Sequence, residues 1–279
     1  MANCLTVNLG LTRYAEACEL QKRLVTARKA EALEDVLLFC EHPHVITLGR
    51  NGKRENLLAS EHVLRQKGVE FHATNRGGDI TYHGPGQLVG YPILNLSTIR
   101  RDVVWYVRTL EEAMIRATAE FGISAFREPG KTGVWVAGEP RVQDSGAFTS
   151  HESRLTSHSS ALPLATRHSS LATSSMPLAT SEKLGAIGVH ISRWVTSHGF
   201  AYNVATDLRF FDLIVPCGIA DRKATSLEKL LGRGVEVNEV LPKMARHLGE
   251  LFGLEPKEIT KEELLEKLEH AEQAVAVSA

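Results

Sequence analysis

Apolar residues recur along this chain at two spacings. Within residues 14–34, Ala17, Leu20, Leu24 and Ala27 fall three and four apart, which predicts a helix with Thr12 as its cap. Asp102 opens a longer stripe of the same kind, Val103, Val107, Leu110, Met114, Ala117 and Phe121. That stripe predicts a core helix ending at Phe121, with Trp105 and Tyr106 as packing residues beside it. Residues 60–67, 225–231, 240–251 and 259–274 read as further helices, and in the last Thr260 and Glu263 stand at capping-box spacing. Short apolar or alternating runs at 36–40, 45–48, 79–82, 87–96, 134–137 and 184–194 read as strands. Pro92 cannot donate to a sheet ladder, so its strand is expected at an edge or with a bulge.

One stretch departs from both spacings. Residues 75–91 read NRGGDITYHGPGQLVGY, a glycine pair and a Gly-Pro-Gly turn on either side of a strand-like run. Gly77 and Gly78 give the backbone freedom to approach a ligand closely, while Arg76, Thr81, His83 and Gln87 ride on chain that turns sharply beside a pocket. Glycines alone read first as those of an ordinary β-hairpin, since a Gly-rich turn is a weak signal and the Gly-Lys-Ser/Thr ending of a P-loop is missing.

Composition narrows the picture. A chain of 279 residues with 43% hydrophobic and 23% charged residues is that of a globular protein, and one catalytic domain is expected. A net charge of −1 and a pI near 6.9 argue against a general nucleic-acid binder. No apolar run approaches bilayer length and the first residues lack a signal-peptide pattern, so a cytoplasmic protein without membrane partners is expected. Cys4, Cys18, Cys40 and Cys217 show no C-x-x-C spacing, which disfavours a zinc site or a disulfide framework and predicts free thiols. His42 and His44 have no third ligand at metal-site spacing, so no metal is assigned; a structural or pocket-lining role is expected. Residues 149–181 are dominated by serine and threonine, with LPLAT at Leu162 echoed by MPLAT at Met176. Such a composition predicts disorder, and its scattered His151, His158 and His168 are assigned no chemistry. Arg50, Lys53 and Arg54, with Arg65 and Lys67 beyond, form a basic cluster whose default reading is solvated surface.

The string RGG followed by TYHGPGQ resembles the signature of the octanoyltransferases of lipoate synthesis, a family of the biotin and lipoate protein ligase superfamily. The resemblance runs in patches from about Glu41 to about Leu231. EHPHVITLGR is similar to the family's early strand pair. EKLGAIGVHISRWVTSHGFAYNV is similar to its second signature, with Leu184-Gly185 where the family more often has Ile-Ala or Ile-Cys. Val215-Pro216-Cys217-Gly218-Ile219 matches the third. By themselves Cys217 would be a small hydrophobe and Lys183 a solvated charge.

The resemblance implies an α+β fold, a mixed β-sheet flanked by helices as in the biotin/lipoate protein ligase-like catalytic domain. That domain would span residues 1–254, interrupted at about 143–181 by an insertion where the family has a short turn, with a C-terminal helical tail over 255–279. It implies octanoyl transfer without a nucleotide or other cofactor. The donor would be octanoyl-acyl-carrier protein, and the acceptors lysines on lipoyl domains of 2-oxoacid dehydrogenase complexes and on the glycine cleavage H protein. Since such partners are typically acidic, the basic cluster at Arg50 becomes a candidate docking patch. Cys217 would carry the acyl group as a thioester and Lys183 would first favour its thiolate, then take a proton from the incoming lysine. Substrate-binding positions would be Arg76, Gly77, Gly78, Asp79, Ile80, Thr81, Tyr82 and His83 in the first motif. In the second they would be Ala186, Ile187 and Gly188, then Gly199, Phe200 and Ala201. Two rivals remain at this stage: an ATP-dependent lipoate or biotin ligase of the same fold, and a non-catalytic acyl-carrier-binding scaffold.

Overall fold

A computed structural model describes residues 2–138, 181–215 and 223–277; the Ser/Thr-rich insertion up to residue 180 and the catalytic candidate Cys217 lie outside them. The chain opens with β1 (Ala2–Leu11), then α1 (Tyr14–Lys29), β2 (Asp35–Glu41), β3 (Val45–Leu48), α2 (Glu61–Gln66), β4 (Glu70–Ala73), β5 (Ile80–His83) and β6 (Gln87–Ile93). There follow α3 (Leu96–Ile99), α4 (Val103–Ala119), β7 (Ala125–Phe126), β8 (Val134–Ala137), β9 (Ser181–Ser192) and β10 (Val195–Asn203). The chain closes with α5 (Leu227–Leu231), α6 (Val237–Phe252), β11 (Leu254–Glu258) and α7 (Lys261–Val277).

Eight strands form one sheet in the order β11-β1-β2-β6-β10-β9-β8-β7, and β4-β3-β5 form a second. In the large sheet β1 runs parallel to β2 and β11 while the pairs from β2 to β7 are antiparallel. This is the mixed sheet of an α+β fold. β2 shows how the layers arise, because successive side chains point to opposite faces. Leu37 and Phe39 join α4 and α6 through Leu110, Met114, Met244 and Leu248. Val36 and Leu38 join α1 and α7 through Leu20, Leu24, Leu264 and Leu268. A strand covered on both faces needs an unbroken apolar run, and DVLLFC is buried throughout.

Several elements differ from the sequence reading, each for a physical reason. β1 was not anticipated; Asn8 and Gly10 dilute its pattern, and it is held by parallel pairing with residues more than two dozen positions away in β2 and with β11. Thr12 does not cap α1: its hydroxyl donates to Leu9 O (3.0 Å), and Arg13 occupies the cap position without a side-chain bond. Pro92 lies in a central strand, not at an edge. The β6–β10 ladder ends at the Gly90–Phe200 pair, so the missing N–H falls where β10 has already left the ladder, at His198 (φ +55) and Gly199. Val103, placed on the core stripe, is exposed. The 255–279 segment supplies β11, paired with β1, and α7, opened by the expected Thr260/Glu263 capping box. Among the described residues no helix is long and apolar enough to cross a membrane.

Candidate active site

The glycine pair is a crossing point between the two sheets. Gly77 N–H donates to Val189 O on β9 (2.8 Å), and a side chain on Gly188 would stand 2.8 Å from Gly77 O. Gly78 has φ +83, which an L-residue rarely adopts. Arg76 holds this loop from below. It is buried, and its guanidinium donates to Thr47 O (2.7 Å), Thr47 Oγ1 (2.9 Å) and Gly77 O (3.0 Å). Asp79 caps its own turn by accepting from Ile80 N and also accepts from Asn56 Nδ2 (2.6 Å).

From Arg76 a hydrogen-bond chain of fixed polarity runs through the first motif. Since Thr47 Oγ1 accepts from Arg76, its own proton goes to His83 Nε2 (3.3 Å), and His83 Nδ1–H donates to Gln87 Oε1 (2.8 Å). Gln87 Nε2 donates to Asn203 Oδ1 (2.9 Å), and Asn203 Nδ2 donates to Thr225 O (2.9 Å). Thr225 N–H in turn donates to Lys183 O (2.9 Å). The residues of the first two signatures are thereby linked, end to end, to the backbone of the lysine.

Around these groups lies a cavity of about 630 Å³, within the range of small-ligand sites. Its wall includes Arg76, Gly77, Gly78, Asp79, Ile80, Thr81 and His83 from the first motif. The β9–β10 hairpin adds Lys183, Ala186, Ile187, Gly188, Gly199, Phe200 and Ala201. The hairpin turns through Arg193 (φ +50) and Trp194 (φ +64), both left-handed as a two-residue turn requires, and this register sets Gly188 opposite Gly199. Tyr82 is the exception among the predicted positions. Alternation along β5 turns it away from the wall, where it is fully buried, stacks on Phe210 and shares a hydrogen bond with His44 Nδ1 (2.7 Å).

Three buried imidazoles sit at the inner end, and burial keeps all of them neutral. His83 is pushed down to about 3, chiefly by burial and then by His42 and Arg76; His198 falls to about 4 for the same leading reason, with Arg76 adding to it. His42, also lowered by burial, donates from Nδ1 to Thr12 O (2.6 Å) and accepts at Nε2 from Tyr91 O–H (2.7 Å). His198 Nε2–H donates to Asn75 Oδ1 (2.7 Å), and its backbone N–H donates to Gln21 Oε1 (2.8 Å).

The mouth is built differently. Lys183 projects from β9 with Nζ 4.7 Å from the centre of the Trp135 ring, and Lys131 Nζ lies 5.5 Å from the same centre. Glu128 pairs with Lys131 (3.5 Å) and accepts from Ser181 Oγ (2.5 Å), two residues before Lys183. Lys223 and Ala224 also reach the wall, and Lys183 N–H donates to Lys223 O (2.9 Å). On the other side Val215 N–H donates to Asn56 O (2.7 Å). The described residue before the Cys217 segment is thus tied to Asn56, whose side chain donates to the cavity residue Asp79, and the residues after the segment are tied to the Lys183 backbone. Burial raises the thiols of Cys4, Cys18 and Cys40 above their ordinary range, which makes poor nucleophiles of all three.

Sequence reading missed His198, Trp135, Lys131, Lys223 and Tyr14 in this wall. His198 immediately precedes Gly199 in the second signature, so its place beside a glycine of that signature was the available signal. Nothing local marks Lys131 or Trp135; the β8–β9 pairing sets Trp135 opposite Lys183, and Lys131 precedes that strand by three residues.

A mixed sheet is crossed by a glycine loop above a partly open cavity, with a lysine at its mouth. Residues 13–249 match the lipoyl protein ligase A/B catalytic domain. The chain is 46% identical over 255 residues to the octanoyltransferase of Solibacter usitatus, covering 91% of this chain and 96% of that protein. It is 45% identical over 256 residues to the octanoyltransferase of Acidobacterium capsulatum, covering 88% and 89%. Among solved structures, a lipoate-protein ligase A bound with ATP superposes with a TM-score of 0.63 at 15% identity, over 98% of this chain and 94% of that one. The bipartite lipoate protein ligase of Thermoplasma acidophilum gives 0.64 at 16%, over 98% and 92%. These two share the fold. The chain belongs to the octanoyltransferase family and is an acyltransferase acting in protein lipoylation.

Proposed function

We propose that this enzyme takes an octanoyl group from octanoyl-acyl-carrier protein onto Cys217 and passes it to a lysine of a lipoyl domain, in 2-oxoacid dehydrogenase complexes or the glycine cleavage H protein. In the first half-reaction the Cys217 thiolate attacks the donor thioester, and the carrier's thiolate leaves with a proton from Lys183. In the second the acceptor's neutral amine attacks the Cys217 thioester. An amide forms, Cys217 departs as thiolate and Lys183 recovers the proton, which restores the starting ion pair. The cavity wall around Gly188, Ile187 and Phe200 would receive the acyl chain, and neutral His83 and His198 put no charge against it.

The observation that carries this reading is the docking of the chain just after the Cys217 segment onto Lys183 itself. Lys223 O and Thr225 N both bond to the Lys183 backbone, with Val215 held on the opposite flank. The test is intact-mass spectrometry after mixing the full-length protein with octanoyl-carrier protein in the absence of ATP. An octanoyl adduct that maps to Cys217 and disappears on adding a lipoyl domain is expected. Transfer that proceeds only with ATP, and with no adduct, would replace the covalent mechanism by an adenylate one.

A further inference from the structure

Glu111 belongs to none of the motifs, yet it is fully buried on α4 and spends its carboxylate in a particular way. Oε2 accepts from Arg108 Nη1 (2.7 Å) and Arg127 Nε (3.2 Å). Oε1 accepts from the backbone N–H of Gly133 (3.0 Å). A carboxylate removed from water needs compensation, and the two guanidinium groups supply it. The third bond reaches the residue just before β8. Gly133 has φ +116, outside the range of L-residues, and a side chain there would stand 2.5 Å from Gly185 O and 3.4 Å from Lys183 Cε. The bare Gly133 backbone is thus the surface along which the Lys183 stem lies. Two residues on, Trp135 pairs with Lys183 and puts its ring 4.7 Å from Nζ, with the β8–β9 register shifting between Val134 and Trp135.

We propose that Glu111 is a positioning residue for acyl transfer: by fixing the Gly133 amide it sets the irregular start of β8, and with it the channel between Gly133 and Trp135 that holds Lys183 Nζ. The proposal rests on the reading of Lys183 as the catalytic lysine. A flexible four-carbon stem gains nothing from its charge unless Nζ is held, and a displacement of about 1 Å can cost about a hundredfold in rate. The two arginines do not depend on Glu111 for their own accommodation. Arg108 is half exposed and Arg127 also pairs with Glu112 (2.6 Å), so the fold has a means of surviving the loss of the carboxylate.

Two full-length variants separate positioning from stability. Glu111→Gln has one oxygen for two demands and should lose the Gly133 bond, whereas Arg108→Ala removes a partner of Oε2 and leaves that bond alone. With octanoyl-carrier protein, Glu111→Gln is expected to lower kcat by about tenfold to a hundredfold with KM within about twofold. The acid limb of acyl-enzyme formation should move up by about one pH unit, toward the behaviour of a free thiol. Arg108→Ala should lower Tm at least as far and keep kcat within about threefold. A readout free of catalysis is acetylation of lysines by acetic anhydride, followed by peptide mass spectrometry. The Lys183 rate, referred to exposed Lys257, should change by about threefold or more in Glu111→Gln only. An unchanged Lys183 rate and acid limb in Glu111→Gln would reduce Glu111 to a structural residue. The same changes in Arg108→Ala would overturn the role of the Gly133 bond. Should the wild type form no acyl-enzyme, the functional reading fails, and the labelling alone decides the positioning.

Discussion

At the inner end of the cavity Arg76, His83 and His198 are nearly inaccessible, and the arginine's donors go to backbone and threonine oxygens. At the mouth Lys131 and Lys183 stand over one indole, partly open to solvent, with Glu128 and Glu111 arranged behind them. The inner end uses charge to fix shape, since the Arg76 guanidinium holds the glycine loop, while burial, with a smaller contribution from Arg76, keeps the neighbouring imidazoles neutral. The mouth keeps its cations near the surface, where, in the proposed mechanism, a thiol or an amine would exchange protons with them. Shape at one end and the proposed proton transfer at the other would make opposite demands on solvent, and β9 and β10 carry residues of both.

The largest effect should come from breaking the mouth. Lys183→Met keeps most of the stem and removes the ammonium, so transfer should slow by about 10² to 10⁴-fold. Stability should change by about 1 kcal/mol or less, the scale of one cation–π contact. Single-turnover acylation and urea unfolding measure the two. A variant that turns over normally would leave the mouth without its assigned chemistry, as would unchanged transfer by Cys217→Ala.

Breaking the inner end should do the reverse. Gly199→Ala puts a methyl group into Gly90 O and 2.8 Å from Pro92 Cδ, neither of which swings aside as a side-chain tip does. A loss of about 3 kcal/mol is expected in urea unfolding, the upper part of the range for overpacking. Any activity that remains at low temperature should keep the wild-type pH profile, because the mouth is untouched.

How far each end was legible in the sequence follows from the same contrast. The inner end takes Arg76, His83 and Gln87 from one stretch, with His198 and Gly199 from the second signature, and its glycines are required by backbone crossings, so most of the pattern appears in two short motifs. Tyr82, in the first of them, turns away from the cavity; a motif does not say which face of a strand turns inward. The mouth is assembled by β8–β9 pairing and by α4, which brings Trp135, Lys131 and Glu111 to Lys183 from separate segments. None of these has a local signature. The layers were legible where one strand is wholly apolar, as in β2, and lost where pairing partners are remote, as in β1.

The neutral imidazoles give a third, smaller effect. His83 and His198 have folded pKa values near 3 and 4, below the ordinary value of 6.5. As pH falls through 6.5 the unfolded chain takes up protons that the folded chain refuses, so stability is lost on acidification and regained as pH rises. Between pH 6 and pH 5 the two together should cost about 2 kcal/mol, and His83→Gln should roughly halve that slope. Equal slopes for variant and wild type in unfolding at several pH values would show that His83 titrates normally.

The smallest effect is expected from replacing residues 143–180 with a short turn. β8 and β9 already pair at Ala137 and Ser181, so the replaced segment joins strand ends that the sheet holds together. Shortening such a connection about tenfold recovers only about 2 kcal/mol of closure entropy, and its Ser/Thr composition offers little apolar surface to lose. Activity should stay within about threefold of wild type and stability should rise slightly. Position makes the experiment informative about the mouth: Ser181 bonds to Glu128 and lies two residues before Lys183, so a poor turn would disturb the lysine. Several turns should therefore be compared, with acylation rate and unfolding free energy measured for each. Loss of acylation with every turn, at unchanged stability, would make the inserted residues part of the mouth and move the boundary between the two ends of the cavity.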